Sequence, residues 1–265
     1  MDDHYSLDID RLSMCQRPHQ KSGGSQIWRN LVFMHWSIPL DSARALLPPN
    51  MELDLYQGQA LVGVVPFEMY QVKPSWLPSI MSFNFLETNV RLYVLVDGRP
   101  GVYFLSLEAA SWLAVQAARI GWGLPYFYAQ MDTECMNLSH SPLTPDDFDR
   151  YSNQTITYSS VRRSPFSSTR SVGLNLKYRT GQKIGPSELG SLEFFLLERY
   201  LLFVSRKGTL YQGQVYHTPY PVYEAEIITL EQTLTHSHGL ECSTPPLYVH
   251  ASPGVDVDVF DLIPL

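Results

Sequence analysis

The stretch Phe83-Asn84-Phe85-Leu86-Glu87-Thr88-Asn89-Val90-Arg91-Leu92-Tyr93-Val94 decides the architecture together with the segments just C-terminal to it. Those segments are Asp97-Gly98, Gly101-Val102-Tyr103-Phe104-Leu105-Ser106-Leu107 and Gly121-Trp122-Gly123-Leu124-Pro125-Tyr126-Phe127. The run reads as a hairpin, a helix and a third strand, with a Gly-Leu-Pro turn returning the chain toward the hairpin. Side chains alternate across a strand, so Glu87, Asn89, Arg91 and Tyr93 share one face while Val90, Leu92 and Val94 take the other. An acid, an amide, a base and a phenol on one strand face are unusual for scaffolding alone. They mark Glu87 as a candidate acid–base residue and Arg91 as a candidate ligand-binding residue. A structural ion pair bridging neighbouring strands accounts for the same spacing.

Outward from this run, two-residue turns separate short β-rich segments. Leu53–Tyr56 and Ala60–Phe67 read as a hairpin about Gln57-Gly58, and 200–205 with 209–216 as another about Lys207-Gly208. Trp28–Trp36, 155–163, 171–179, 222–230, 248–251 and 255–262 read as further strands. Glu108–Arg119 carries Ala109, Ala110, Leu113, Ala114, Ala117 and Ala118 at helical spacing, which predicts a helix lying close against a sheet through that face. Leu189–Arg199 reads as a second helix and Leu40–Leu47 as a short one ended by Pro48-Pro49. Roughly ten or more strands against about three helices predict a mainly β (α+β) architecture, antiparallel and curved or barrel-like. Residues 1–25 show no periodicity and read as a flexible or loosely docked tail before a single domain over 26–265. The polar stretch 132–149 reads as an excursion.

Composition narrows the function. The chain has 265 residues, enough for a substantial core, yet only 17 % are charged while 16 are tyrosine, so each embedded charge stands out. Its net charge is −7 and its longest basic runs are the pairs Arg162-Arg163 and Arg206-Lys207, which argues against nucleic acid. The longest apolar run, near 194–204, is broken by Glu198 and Arg199, so no membrane span is expected. Three scattered cysteines and no basic, apolar leader point to the cytoplasm. No phosphate-binding glycine motif is present, Ser106 lacks a nucleophile elbow, and His236-Ser237-His238 lacks a third placed ligand; neither cofactor nor metal is expected.

Tyr126, after the Gly-Leu-Pro turn, can hydrogen-bond a carbonyl or carboxylate, or simply pack in the core. Arg199, beside Glu198 in Leu197-Glu198-Arg199-Tyr200-Leu201, can pair with Glu198 or reach something buried. His217, before Thr218-Pro219, is a ligand-binding candidate or a satisfied core histidine.

Glu87, Arg119 and Trp122-Gly123-Leu124-Pro125 follow the order and spacing of a motif in acetoacetate decarboxylase and its relatives. The chain resembles more closely the uncharacterised bacterial YqjF-like proteins, a domain of unknown function in the same superfamily. Phe33-Met34-His35-Trp36, Val64-Val65-Pro66-Phe67, Glu87-Thr88-Asn89-Val90-Arg91, Gly101-Val102-Tyr103-Phe104, Gly123-Leu124-Pro125-Tyr126, Leu197-Glu198-Arg199-Tyr200 and His217-Thr218-Pro219 carry the likeness, over about residues 28–262. The resemblance implies a conical β-barrel around a cavity whose wall includes Glu87 and Tyr126. It also implies a homo-oligomer, since the superfamily's enzymes assemble. The decarboxylase uses a Schiff-base lysine beside a second lysine, and Tyr126 and Phe127 stand at those positions here. That activity is not expected. The resulting expectation is a cavity binding a small organic carbonyl or carboxylate compound, with a lyase- or hydrolase-type reaction left open. The alternative is a non-catalytic interaction module whose polar cluster only stabilises the barrel.

Overall fold

The computed structural model describes residues 9–138, 142–163 and 172–265. Residues 1–8 of the leading stretch, 139–141 of the excursion and Ser171 of an expected strand lie outside the described residues. Among those described, the strands are β1 (Gly24–Ile38), β2 (Glu52–Leu53), β3 (Ala60–Pro74), β4 (Phe83–Val96), β5 (Arg99–Ala109), β6 (Tyr126–Glu134), β7 (Thr155–Arg162), β8 (Gly173–Gly185), β9 (Leu201–Arg206), β10 (Thr209–Tyr216), β11 (Val222–Gln232) and β12 (Tyr248–Pro264). The α-helices are α1 (Leu40–Ala45), α2 (Trp112–Gly121), α3 (Pro145–Tyr151) and α4 (Leu192–Leu197). All the strands join one sheet in the order β10-β9-β5-β6-β7-β8-β11-β12-β1-β3-β4-β2, and β4 pairs in addition with β5, and β10 with β12. Pairing is antiparallel except where β5 meets β6 and β9. The fold is mainly β with a few helices, the expected class.

β4 positions the site. It pairs with β3 on one side and β5 on the other, with a register slip at Val90/Arg91. Val90, Leu92 and Val94 enter one buried cluster with Met34, Val62 and Val64. Tyr93 packs on the opposite side with Phe33, Val65 and Phe195. The alternation seen in the sequence therefore separates two cores, and the polar face of β4 looks into the second. The β4–β5 turn uses Asp97 (φ 50°) and Gly98 (φ 72°), and the β9–β10 turn Lys207 (φ 49°) and Gly208 (φ 83°). Positive φ at both central residues matches the twist of a two-residue hairpin.

Several expected elements differ. The helix expected over Glu108–Arg119 begins only at Trp112, where Ser111 caps it by accepting from the Ala114 amide. Glu108 and Ala109 instead complete β5, and Glu108 is fully buried against Arg162. The helix turns Val115 and Ala118 inward, while Leu113 and Ala117 face outward. β2 pairs with β4 rather than closing a hairpin on β3, although Tyr56 and Gln59 do bridge the Gln57-Gly58 turn. Within the 132–149 excursion, β6 continues to Glu134 and α3 opens on a reciprocal Thr144–Asp147 capping box. α4 covers only the middle of the expected Leu189–Arg199 helix. In the leading stretch Arg11 is buried, with both guanidinium arms on Asp54 at 2.7 Å. The two closing strands are one, β12, which passes β1 at Gly254 (φ +128°), where any Cβ would collide with the Trp28 carbonyl.

Candidate functional site

A cavity of about 160 Å³ lies on the polar side of β4, reached by Glu87, Asn89 and Arg91. Its apolar wall is aromatic, with Trp28, Phe33, Phe67, Phe104 and Trp122. Gly123 (φ +64°) sets the turn into β6, and a Cβ there would run into the Arg206 side chain. That turn delivers Tyr126 into the cavity wall, while Phe127, on the opposite face of β6, lies under the Arg119 and Arg162 guanidiniums.

The Tyr126 hydroxyl donates to Glu87 Oε2 at 2.8 Å. Glu87 Oε1 has no hydrogen-bond partner among the described residues. Burial lifts the Glu87 carboxyl from its ordinary 4.5 to about 8; the Tyr126 bond opposes this and the charge of Glu108 adds to it. Glu87 is thus a neutral acid at pH 7. Burial and the neighbouring Glu87 push the Tyr126 phenol well above its usual value, so it stays a donor.

Arg91 takes its position from the end of α4. The last carbonyls of a helix lack intrahelical donors; Leu196 O accepts from Arg91 Nη2 at 2.9 Å and from the Tyr93 hydroxyl at 3.0 Å. The guanidinium also lies over the Phe33 and Tyr93 rings, 5.5 Å from each centroid. Arg91 Nε has no partner, nor has Asn89 Oδ1. No carboxylate lies within 4.0 Å of Arg91 among the described residues, and Glu87 forms no ion pair, so the bridging pair considered from the spacing is not formed. Among the described residues the cavity therefore holds one uncompensated cation and one neutral carboxylic acid, separated along β4 by Asn89. No lysine lines it.

The other candidates are placed differently. Arg199 reaches the cavity wall, but its Nη1 is bound to Asp54 Oδ2 at 2.6 Å and its Nε to Phe195 O at 2.6 Å. Burial opposes ionisation of Asp54, yet Arg199 and Arg11 together hold its carboxyl below the usual range. Glu198 does not pair with Arg199. It accepts from the Tyr200 hydroxyl (2.6 Å), the Tyr220 amide (3.0 Å) and the Ser187 hydroxyl (3.1 Å). His217 lies behind the wall, stacked on Tyr200 at 4.4 Å, with Nδ1 donating to Thr218 O at 2.8 Å. Burial lowers its pKa to about 4, so it is neutral. The structure thus brings Glu87, Arg91 and Tyr126 together, leaves Arg199 engaged, and sets His217 outside. The reading of site residues missed Asn89, although the same period-2 alternation had put it on the face. It also missed Tyr93 and the Leu196 carbonyl, whose role depends on where α4 stops.

The architecture matches solved proteins of the acetoacetate decarboxylase-like class. Acetoacetate decarboxylase from Legionella pneumophila aligns with a TM-score of 0.56 and 13 % identity, over 99 % of this chain and 97 % of that one. The enduracididine biosynthesis enzyme MppR, solved with the condensation product of pyruvate and imidazole 4-carboxaldehyde, aligns with a TM-score of 0.59 and 12 % identity, over 92 % and 90 %. At such identities the likeness is one of fold. The chain belongs to the DUF2071 family of uncharacterized conserved proteins, matched over residues 25–256. The uncharacterized protein YqjF of Bacillus subtilis (strain 168) is 32 % identical over 233 residues, 88 % of each chain.

Proposed function

We propose that the sheet closes as a conical barrel whose cavity binds a small organic carboxylate or carbonyl compound. The observation that carries this is the buried, unpaired Arg91 facing the same cavity as the neutral Glu87–Tyr126 pair. An unpaired buried cation is costly to a fold that gains nothing else from it. Arg91 anchors the anionic or polar end of the ligand, and protonated Glu87 donates from Oε1 to a carbonyl or hydroxyl oxygen, while the Tyr126 hydroxyl, its proton given to Glu87, can accept from a ligand hydroxyl. The volume suits a compact molecule of roughly six to ten non-hydrogen atoms, since a cavity near 150 Å³ holds a benzene ring. MppR, with a pyruvate-derived ligand in the same fold, supports the ligand class. Glu87 is suited to carry a proton in a lyase- or hydrolase-type reaction, its pKa lying close to neutrality. Without a lysine in the wall, a Schiff-base decarboxylation is not proposed. Among the described residues no helix is long and apolar enough to cross a membrane, and the three free cysteines suit the reducing cytoplasm.

The test is a thermal-shift screen of keto acids, hydroxy acids and lactones on the wild type, Glu87→Gln and Arg91→Met. Leu196 O keeps its Tyr93 donor in Arg91→Met, so the fold survives. A ligand at a hundred times its Kd stabilises by about 2.7 kcal/mol. The expected result is a class of compound that stabilises the wild type and loses its effect in both variants. A screen with no shift, or shifts that both variants retain, would overturn the proposal.

A further inference from the structure

Asn89 is the polar group of the cavity that the Arg91 anchor and the Glu87–Tyr126 pair leave unused. It lines the wall at 6 % exposure, and its Oδ1 meets no donor, whereas a buried acceptor in a native fold is ordinarily satisfied. Two other groups facing the cavity are only half engaged. The Tyr126 oxygen has given its proton to Glu87 Oε2 and is left an acceptor, while protonated Glu87 is left one donor at Oε1. A ketone or aldehyde oxygen meets only that donor. A hydroxyl accepts from Glu87 and also donates to Asn89 or Tyr126. The rest of the wall is largely made of rings. Trp28 meets Phe67 at 5.6 Å and Phe33 meets Tyr220 at 5.4 Å, both edge to face, so each ring keeps a face that its partner does not cover. The Trp28 indole is held by the bond its Nε1 donates to Gln26 Oε1 at 2.9 Å, and Phe104 and Trp122 add two more rings.

We infer that the cavity takes a hydroxylated aromatic carboxylate, a single ring with a carboxylate at one end and a hydroxyl at the other, and that Asn89 selects the hydroxyl. The inference rests on the carboxylate reading given above and narrows it. Arg91 and Asn89 lie two residues apart on β4, roughly 6.6 Å along the strand, and Glu87 is the same step further on. A ring with substituents at opposite ends spans such a step. An α-keto acid, whose second oxygen lies beside its carboxylate, does not. Size sets the upper bound: a cavity of about 160 Å³ admits roughly six to ten non-hydrogen atoms, enough for one ring and its two substituents and too few for a bicyclic acid. The uncompensated Arg91 favours an anion, and edge or stacking contacts with the wall favour an aromatic ring over a saturated one by roughly 2- to 10-fold in affinity.

The test is titration calorimetry of the full chain with para-hydroxybenzoate, benzoate and the saturated para-hydroxycyclohexanecarboxylate, on the wild type, Asn89→Leu and Arg91→Met. The expected result for the wild type is para-hydroxybenzoate binding about tenfold tighter than benzoate and several-fold tighter than its saturated counterpart. Asn89→Leu is expected to bind benzoate and para-hydroxybenzoate alike, and Arg91→Met to bind none of the three. The comparison of ligands on the wild type stands whether or not Asn89→Leu folds. Equal affinity for the aromatic acid and its saturated counterpart would overturn the aromatic assignment. Equal affinity for para-hydroxybenzoate and benzoate, or a hydroxyl preference that Asn89→Leu keeps, would overturn the role of Asn89. In each of these cases binding that Arg91→Met abolishes leaves the carboxylate reading standing, as does a wild type that binds small keto acids but no ring acid, which sinks this inference alone. Affinity unchanged in Arg91→Met, or a wild type that binds no carboxylate of any kind, would overturn both.

Discussion

Replacing Glu87 by glutamine separates the burial of a carboxyl group from its hydrogen bond. Glutamine keeps the shape and an oxygen that accepts from Tyr126, but it does not titrate. In the wild type, burial raises the Glu87 carboxyl from 4.5 to about 8. Between those values the folded state holds a proton that the unfolded chain has released. Native stability must therefore fall as pH rises through this window; below it both states are protonated, and above it both are ionised. Each unit is worth about 1.4 kcal/mol, so between pH 5.5 and pH 9 the wild type loses on the order of 3 kcal/mol relative to Glu87→Gln. Urea unfolding of both proteins at pH 5.5, 7 and 9 measures this, because the difference cancels every other titrating group. The glutamine variant is expected to gain on the wild type up to about pH 8 and then level off. A difference that is flat with pH would refute the reasoning. So would one that grows toward acid, the sign of a carboxylate stabilised in the fold.

Three further outcomes rest on the same geometry. Tyr126→Phe removes the hydrogen bond that opposes the rise of the Glu87 pKa, so the midpoint of that stability difference, or of the Glu87 carboxyl signal by carbon NMR, moves above 8. Asp54→Asn removes the carboxylate that Arg11 and Arg199 share in the interior; it is expected to cost about 3–5 kcal/mol in urea unfolding, and a loss below 1 kcal/mol would contradict the assignment. Gly254→Ala forces a methyl group into the Trp28 carbonyl at positive φ, and a destabilisation of at least about 2 kcal/mol is expected, measured as a lowered Tm.

What the sequence made legible was local. Alternation along 83–94 identified both faces of β4, and Asp97-Gly98 and Lys207-Gly208 marked two turns that have the expected backbone. The same locality explains the misses. Ala109 and Ala110 fit a helix as well as a strand, and what places Glu108–Ala109 in β5 is pairing with Thr88 and Glu87 of β4 and with Phe127 and Tyr128 of β6, while Arg162, more than fifty residues away in the chain, meets the buried Glu108. Leu113 and Ala117 looked like a buried face because a single chain offers no sign that an apolar stripe points outward. Arg199 and His217 were read beside their sequence neighbours, but their fates are set by Asp54 and by the aromatic stack of Tyr200 and Tyr220. The capping box Thr144-Pro145-Asp146-Asp147 is local too, but it was passed over because the stretch around it is polar and reads as loop.

β12 pairs with β1, β10 and β11, so that Gly24 lies against Val259 and Tyr211 against Pro264. The last strand thus ties the first strand of the sheet to β10 and β11. A ribosome adding roughly 5–20 residues per second makes β1 some 10 to 50 s before β12 exists to cover it. Through that interval β1 carries an unpaired edge, joined over the last few seconds by those of β10 and β11, the kind of edge that templates aggregation. The non-local pairing that replaces it is slow to form. The hazard for this chain at birth is set by the pace of translation, whatever the stability of the finished sheet.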